Sequence, residues 1–149
     1  MSTTPNFEEL LQRDGYLVYK TRGVSMRPLF RENRDLVTIR PVTGRLQKYD
    51  VPLYRRRDGG YVLHRIIGEQ NGCYIIRGDN TFVKETVKPD RIVGVLTEFK
   101  RKQKHHTVTE SGYRVYARVW NGIYPVRFVL HKVRRFGGKI KRALKGETI

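Results

Sequence analysis

Two tight-turn signals, Asp58-Gly59-Gly60 and Asn71-Gly72, bracket the run Tyr61 to Ile67, and Cys73-Tyr74-Ile75-Ile76 follows directly. Asp-Gly and Asn-Gly supply the left-handed backbone that short hairpin turns need, so this stretch is expected to fold back on itself as antiparallel β-structure. The same apolar and β-branched character marks strands at Tyr16 to Thr21, Leu36-Val37-Thr38-Ile39, Val51 to Arg56 and Arg91 to Phe99. Pro52 cannot donate to a central ladder, which predicts an edge or bulged strand there. One short helix precedes them, with Asn6 as N-cap, Glu9 at N3, and Phe7, Leu10 and Leu11 on one face; it ends near Asp14-Gly15. Strands joined by tight turns with a single short helix make a mainly antiparallel β region.

From Lys100 the composition shifts. Residues 100–106 hold no apolar side chain and read as a basic linker. Beyond it, Tyr116, Val119, Trp120, Ile123 and Tyr124, and then Val129, Leu130, Val133 and Phe136, recur at helical spacing on either side of Pro125. The expected organisation is an N-terminal helix over 1–15, a β-domain over 16–100, and a basic linker with an amphipathic helical tail over 101–149. Gly137-Gly138 reads as a hinge between tail helices.

Lys and Arg number 31 against 14 Asp and Glu, a net charge of +17. From residue 100 onward 14 Lys and Arg face only Glu110 and Glu147. Such a chain attracts polyanions, either nucleic acid or an anionic membrane face. Aromatics alternating with cations over 112–145 suit a helix lying on such a membrane. Equally, a helix could cover the β-domain with its apolar face and leave its basic face solvated. No recognised nucleic-acid motif accompanies the charge. No apolar run is long enough to cross a bilayer, and Met1 to Pro5 do not begin a leader. Cys73 is the single cysteine, so no internal disulfide forms and a reducing cytoplasm is the expected compartment, with a peripheral membrane position also open. His105, His106 and His131 have no metal-ligand spacing, and Gly137-Gly138 is no phosphate loop; neither cofactor nor metal is implied.

Three short stretches carry chemistry. Gly23-Val24-Ser25-Met26-Arg27-Pro28 holds one serine between a permissive glycine and a restrictive proline. Leu63-His64-Arg65-Ile66-Ile67 places a histidine on a strand, and Arg77-Gly78-Asp79-Asn80 follows. Singly, each has a plain reading as a turn hydroxyl, a sheet histidine and a turn. In this order, from Tyr16 to Lys100, they resemble the signal peptidase I superfamily, in particular its Ser-His subgroup.

The resemblance implies the signal-peptidase/LexA-type antiparallel β-fold and a serine endopeptidase acting on a peptide or leader sequence with small residues before the cut. It implies Ser25 as nucleophile, His64 as general base where other members use lysine, and Asp79 as the carboxylate that orients the histidine. Glu85 stands where the subgroup often has a second aspartate and is the secondary candidate. The backbone N–H of Ser25 would donate to the oxyanion. Met26 is either an apolar prop beside the cleft or a core residue, and Arg65 is either paired or solvated. The chain departs from the family in lacking the usual span and in having Tyr49-Asp50-Val51-Pro52 for the common Gly-Asp-Val-Val. The competing reading is a regulatory or inactive protein of the same fold that binds nucleic acid or an anionic membrane through its tail. Self-cleaving repressors of this fold use a Ser-Lys dyad behind a DNA-binding domain, and too few residues precede Tyr16 for one.

Overall fold

The computed structural model describes residues 6–146, with side chains through residue 144. The Met1 to Pro5 start and Glu147, used in the readings above, lie outside the described residues. Helix α1, Phe7–Asp14, opens on the expected capping box. The Asn6 side chain accepts from the Glu9 N–H at 2.8 Å, and the Glu9 carboxylate accepts from the Asn6 N–H at 3.2 Å. Two otherwise unpaired helix-end donors are thereby satisfied. Gly15 closes the helix with a φ of 73°, which an L side chain rarely adopts.

Among the described residues the strands are β1 Leu17–Lys20, β2 Leu36–Arg40, β3 Pro52–Arg55, β4 Tyr61–Leu63, β5 Arg65–Gln70, β6 Cys73–Arg77, β7 Glu85–Val87, β8 Ile92–Arg101 and β9 Lys104–Thr107. All pairings are antiparallel. One sheet runs in the order β1-β2-β8-β3-β4, with β9 alongside β8, and the second runs β5-β6-β7. The protein is therefore mainly antiparallel β, with a short N-terminal helix and two C-terminal helices, α2 Ser111–Gly122 and α3 Tyr124–Gly146.

Two hydrophobic clusters fill it, and β3 stands between them. Leu53 belongs to the cluster under β1, β2, β8 and α1, whereas its neighbour Tyr54 belongs to the one beneath the second sheet with Ile66, Tyr74 and Ile76. Period-2 alternation sends the two side chains to opposite faces, and both faces are covered. Pro52 accordingly does not sit in an edge strand: β3 is central, Pro52 is its first residue, and its register against β8 slips between Leu53 and Tyr54. The bulged alternative is the one realised, since a first-position proline removes no interior donor.

Residues 100–106 are not a linker. The chain turns at Lys102 and Gln103, with φ of 46° and 70°, and returns as β9 against β8. Helix α2 then packs Tyr113 and Ala117 into the protein, so it belongs to the same body as the sheet. The break between helices falls at Ile123, and Pro125 sits in the first turn of α3, where its missing N–H costs nothing. Gly137 and Gly138 lie inside α3 and make no hinge.

Close packing of β8 against β2 and α1 depends on Gly94. A Cβ there would overlap the Ile39 side chain and the Arg40 carbonyl and press on Leu11. Gly94→Ala is expected to destabilise the fold by about 1–3 kcal/mol, as overpacked cores do. An unchanged midpoint in urea unfolding would contradict that packing.

Candidate active site

The serine turn is held from both ends. Thr21 donates its N–H to the Asp35 carbonyl at 3.1 Å and its hydroxyl to the Arg31 carbonyl at 3.1 Å, while Asn33 donates back to Thr21 at 2.9 Å. Gly23, at a φ of 77°, gives its N–H to Glu32. Met26 and Phe30 anchor the turn in the core, leaving Ser25 half-buried beside them. From across the molecule, Asn80 donates its backbone N–H to the Ser25 carbonyl at 2.7 Å and its side-chain amide to the Val24 carbonyl at 3.1 Å. The Gly78-Asp79-Asn80 loop is thus docked on the serine turn.

His64 is not in the middle of a strand. It is the residue at which the chain leaves the first sheet, at the end of β4, and enters the second, at the start of β5. Its Nδ1 lies 3.3 Å from the Tyr54 hydroxyl and 3.6 Å from Glu85 Oε1. Burial lowers its pKa to about 4, against the opposing pull of Glu85, so the ring is neutral at physiological pH. Nε2 makes no hydrogen bond. No fully buried side-chain nitrogen or oxygen among the described residues lacks a partner, so Nε2 opens onto the adjoining cleft.

Gly78 is where the two motifs converge. A Cβ on this residue would lie 2.7 Å from the Ser25 carbonyl oxygen and 3.0 Å from His64 Nε2, so only glycine lets the loop pass between them. No hydrogen bond joins the Ser25 hydroxyl to His64 Nε2, but the two residues line one cleft of about 850 Å³. Residues of the sheet-edge strands β1 and β4 line it, with Phe7 of α1 packed at a tilt against both Tyr19 and Tyr61.

The two candidate carboxylates lie otherwise than the resemblance implies. Asp79 does not face the histidine. Both its oxygens take a bidentate pair from Arg65, each at 2.8 Å, and Oδ2 also accepts from the Tyr116 hydroxyl at 2.9 Å. Arg65, paired and not solvated, is fully buried and donates further to the Tyr49 carbonyl and the Tyr113 hydroxyl. Burial disfavours its charge, and Asp79 more than restores it. Glu85, on β7, is the carboxylate directed at His64. Partial burial raises its pKa, but the Arg56 guanidinium and the Tyr54 hydroxyl outweigh this and hold it below the ordinary value.

Several contributors escaped the sequence reading. Tyr54 carries no local signal beyond strand propensity. Trp120 donates to the Asp79 carbonyl at 2.9 Å, as does Arg127 at 2.7 Å, which binds the C-terminal helices to the loop beside Ser25. His105 and His106 pair with Glu98 and Glu110, and no group of metal-ligating side chains occurs among the described residues. Compared with known proteins, the chain matches no family model and no curated protein.

Chemically, the site offers a hydroxyl, a neutral imidazole with a free nitrogen turned to the same cleft, and a carboxylate behind that imidazole. Two stability measurements test these assignments. Asp79→Asn leaves Arg65 buried without its counter-charge and should cost about 3–5 kcal/mol in chemical unfolding, as broken buried pairs do. A loss below 1 kcal/mol would remove the ion pair from its structural role. For His64, the folded-state pKa lies below the unfolded value of 6.5, so between about pH 6.5 and 4 the unfolded chain binds a proton that the native chain refuses. Stability should therefore fall as pH drops through that window, by about 3 kcal/mol in full. His64→Gln should flatten that limb.

Proposed function

We propose that the protein is a signal-peptidase-like serine endopeptidase, with Ser25 as nucleophile, His64 as general base and then acid, and Glu85 in place of Asp79 behind the histidine. The observation that carries the reading is the convergence at Gly78 of the serine turn with an unbonded His64 Nε2 that opens onto the cleft. A carboxylate only accepts hydrogen bonds, so Glu85 beside Nδ1 favours the Nδ1–H tautomer and leaves the Nε2 lone pair for the serine proton.

In the proposed first step the Ser25 oxygen attacks the scissile carbonyl, its proton passes to Nε2, and the carbonyl π electrons move to oxygen. Collapse expels the amine, which takes that proton from Nε2, and leaves an acyl-serine. Water, deprotonated by the same nitrogen, releases the acid and restores the hydroxyl. The Ser25 N–H donates to no acceptor among the described residues and is available to the oxyanion. Catalytic hydrogen bonds of this kind commonly tighten only when substrate seats, so the missing Ser25–His64 bond is compatible with the mechanism. The unpaired outer edges of β1 and β4 suit an extended peptide, which could add to either as a further strand.

Ser25→Ala should abolish cleavage of a peptide library, followed by mass spectrometry, without changing the circular dichroism. A serine-directed phosphonate should label Ser25 in the unaltered chain. No labelling and no cleavage would favour a protein that keeps this fold without turnover, and undiminished cleavage by the variant would remove Ser25 from the nucleophile's role. Glu85→Gln should lower kcat/KM by less than the roughly 10⁴-fold lost with the aspartate of a fully bonded triad, because Arg56 already offsets part of its charge. The acid limb of kcat/KM should lie near pH 4, the value that burial sets for His64.

A further inference from the structure

Helix α3 turns its inward face to the protein with aromatic and cationic side chains, and its aliphatic face to solvent. Phe82 packs against the rings of Tyr124, Phe128 and His131, and the Arg127 guanidinium lies 3.8 Å from the centre of the Trp120 ring. At roughly 100° per residue, Val126, Val129, Val133, Phe136, Ile140 and Leu144 fall on the opposite side. Each is at least 58 % exposed. Lys132 and Lys139 border this stripe on one flank and Arg134 and Lys141 on the other. Residues 124–146 hold eight Lys or Arg and no Asp or Glu.

We propose that this face of α3 is the surface by which the protein lies on an anionic lipid bilayer, with the aliphatic stripe between the acyl chains and the flanking cations at the headgroups. The charge distribution selects this occupant. A second copy meeting the stripe face to face would bring lysine and arginine against lysine and arginine, with no acid on either helix to relieve them. A nucleic acid or an acidic protein would engage the cations and leave the aliphatic stripe in water. Only a surface that is anionic outside and apolar beneath uses both. The helix lies on the membrane and does not cross it: among the described residues none is long and apolar enough to span. At 23 residues it would extend along the surface for about 35 Å.

This reading does not depend on the hydrolytic one, and vesicle sedimentation of the full chain tests it separately. The protein should sediment with phosphatidylcholine vesicles containing phosphatidylglycerol, far less with phosphatidylcholine alone, and less as salt rises. Val133→Glu combined with Ile140→Glu should lower the partition coefficient by about tenfold or more, a buried valine's share of transfer free energy. The phosphonate labelling of Ser25 should stay as it was. Lys139→Glu with Lys141→Glu, also at exposed positions, should weaken retention on the anionic vesicles alone. Four outcomes would overturn the proposal. They are no retention on phosphatidylglycerol vesicles, equal retention on neutral ones, retention that the Val133/Ile140 variant leaves intact while single-stranded RNA displaces it, and a concentration-dependent dimer that the same variant dissolves.

Discussion

The buried pair between Arg65 and Asp79 ties the molecule together. Two charges removed from water are costly unless each finds its full complement of partners, and here each does. Arg65 opens β5, Asp79 stands on the loop that touches the serine turn, and Tyr113 and Tyr116 come from α2. The guanidinium also lies within 5.5 and 5.7 Å of the centres of those two tyrosine rings. Because these groups satisfy one another, they hold second sheet, loop and helix in one arrangement. The loop's shape is fixed on one side by α2 and α3 and is passed to Ser25 on the other through Asn80.

That arrangement also explains why two carboxylates so close to His64 do different work. Asp79 is neutralised by a dedicated arginine inside the protein, whereas Glu85 is partly exposed and shares its charge between Arg56 and the imidazole. Surroundings, more than residue type, push titratable neighbours towards separate roles. The imidazole stays neutral because burial outweighs a carboxylate whose field Arg56 has already reduced.

What the sequence disclosed followed the range of the physics involved. The capping box at Asn6, the hairpins at Gly59 and Asn71 and the rigid turn around Ser25 depend on a few adjacent residues, and all were legible. The turn at Lys102 and Gln103 was not, since neither residue advertises the left-handed backbone it adopts. Nor was β7, three residues long with no alternation to read. The choice between Asp79 and Glu85 rested on tertiary partners. Arg65, adjacent to the histidine, was visible, but only folding shows that its fork closes on Asp79 fourteen positions later. For the tail two readings stood open, a helix on a membrane or a helix covering the β-domain, and its aromatics follow the second: they bind the body.

Helix α3 leaves Val126, Val129, Val133, Ile140 and Leu144 in solvent and turns aromatic rings and a guanidinium inward. Its actual orientation follows from the partners available at the other end of the contact. The loop after Asp79 presents a carbonyl, the Phe82 ring and the carbonyl of Phe82, which call for a guanidinium, aromatic faces and a phenol. Arg127, Tyr124, Phe128 and His131 supply these, and Arg77 adds a guanidinium 3.4 Å from the centre of the Tyr124 ring. The Asp79 carbonyl takes a donor from each helix, Trp120 of α2 and Arg127 of α3, while the aliphatic stripe forgoes about 1.5–3 kcal/mol per side chain only for as long as nothing covers it. The helix that carries the uncovered stripe is therefore also the one whose inner face holds the backbone of Asp79, two hydrogen bonds from the serine turn.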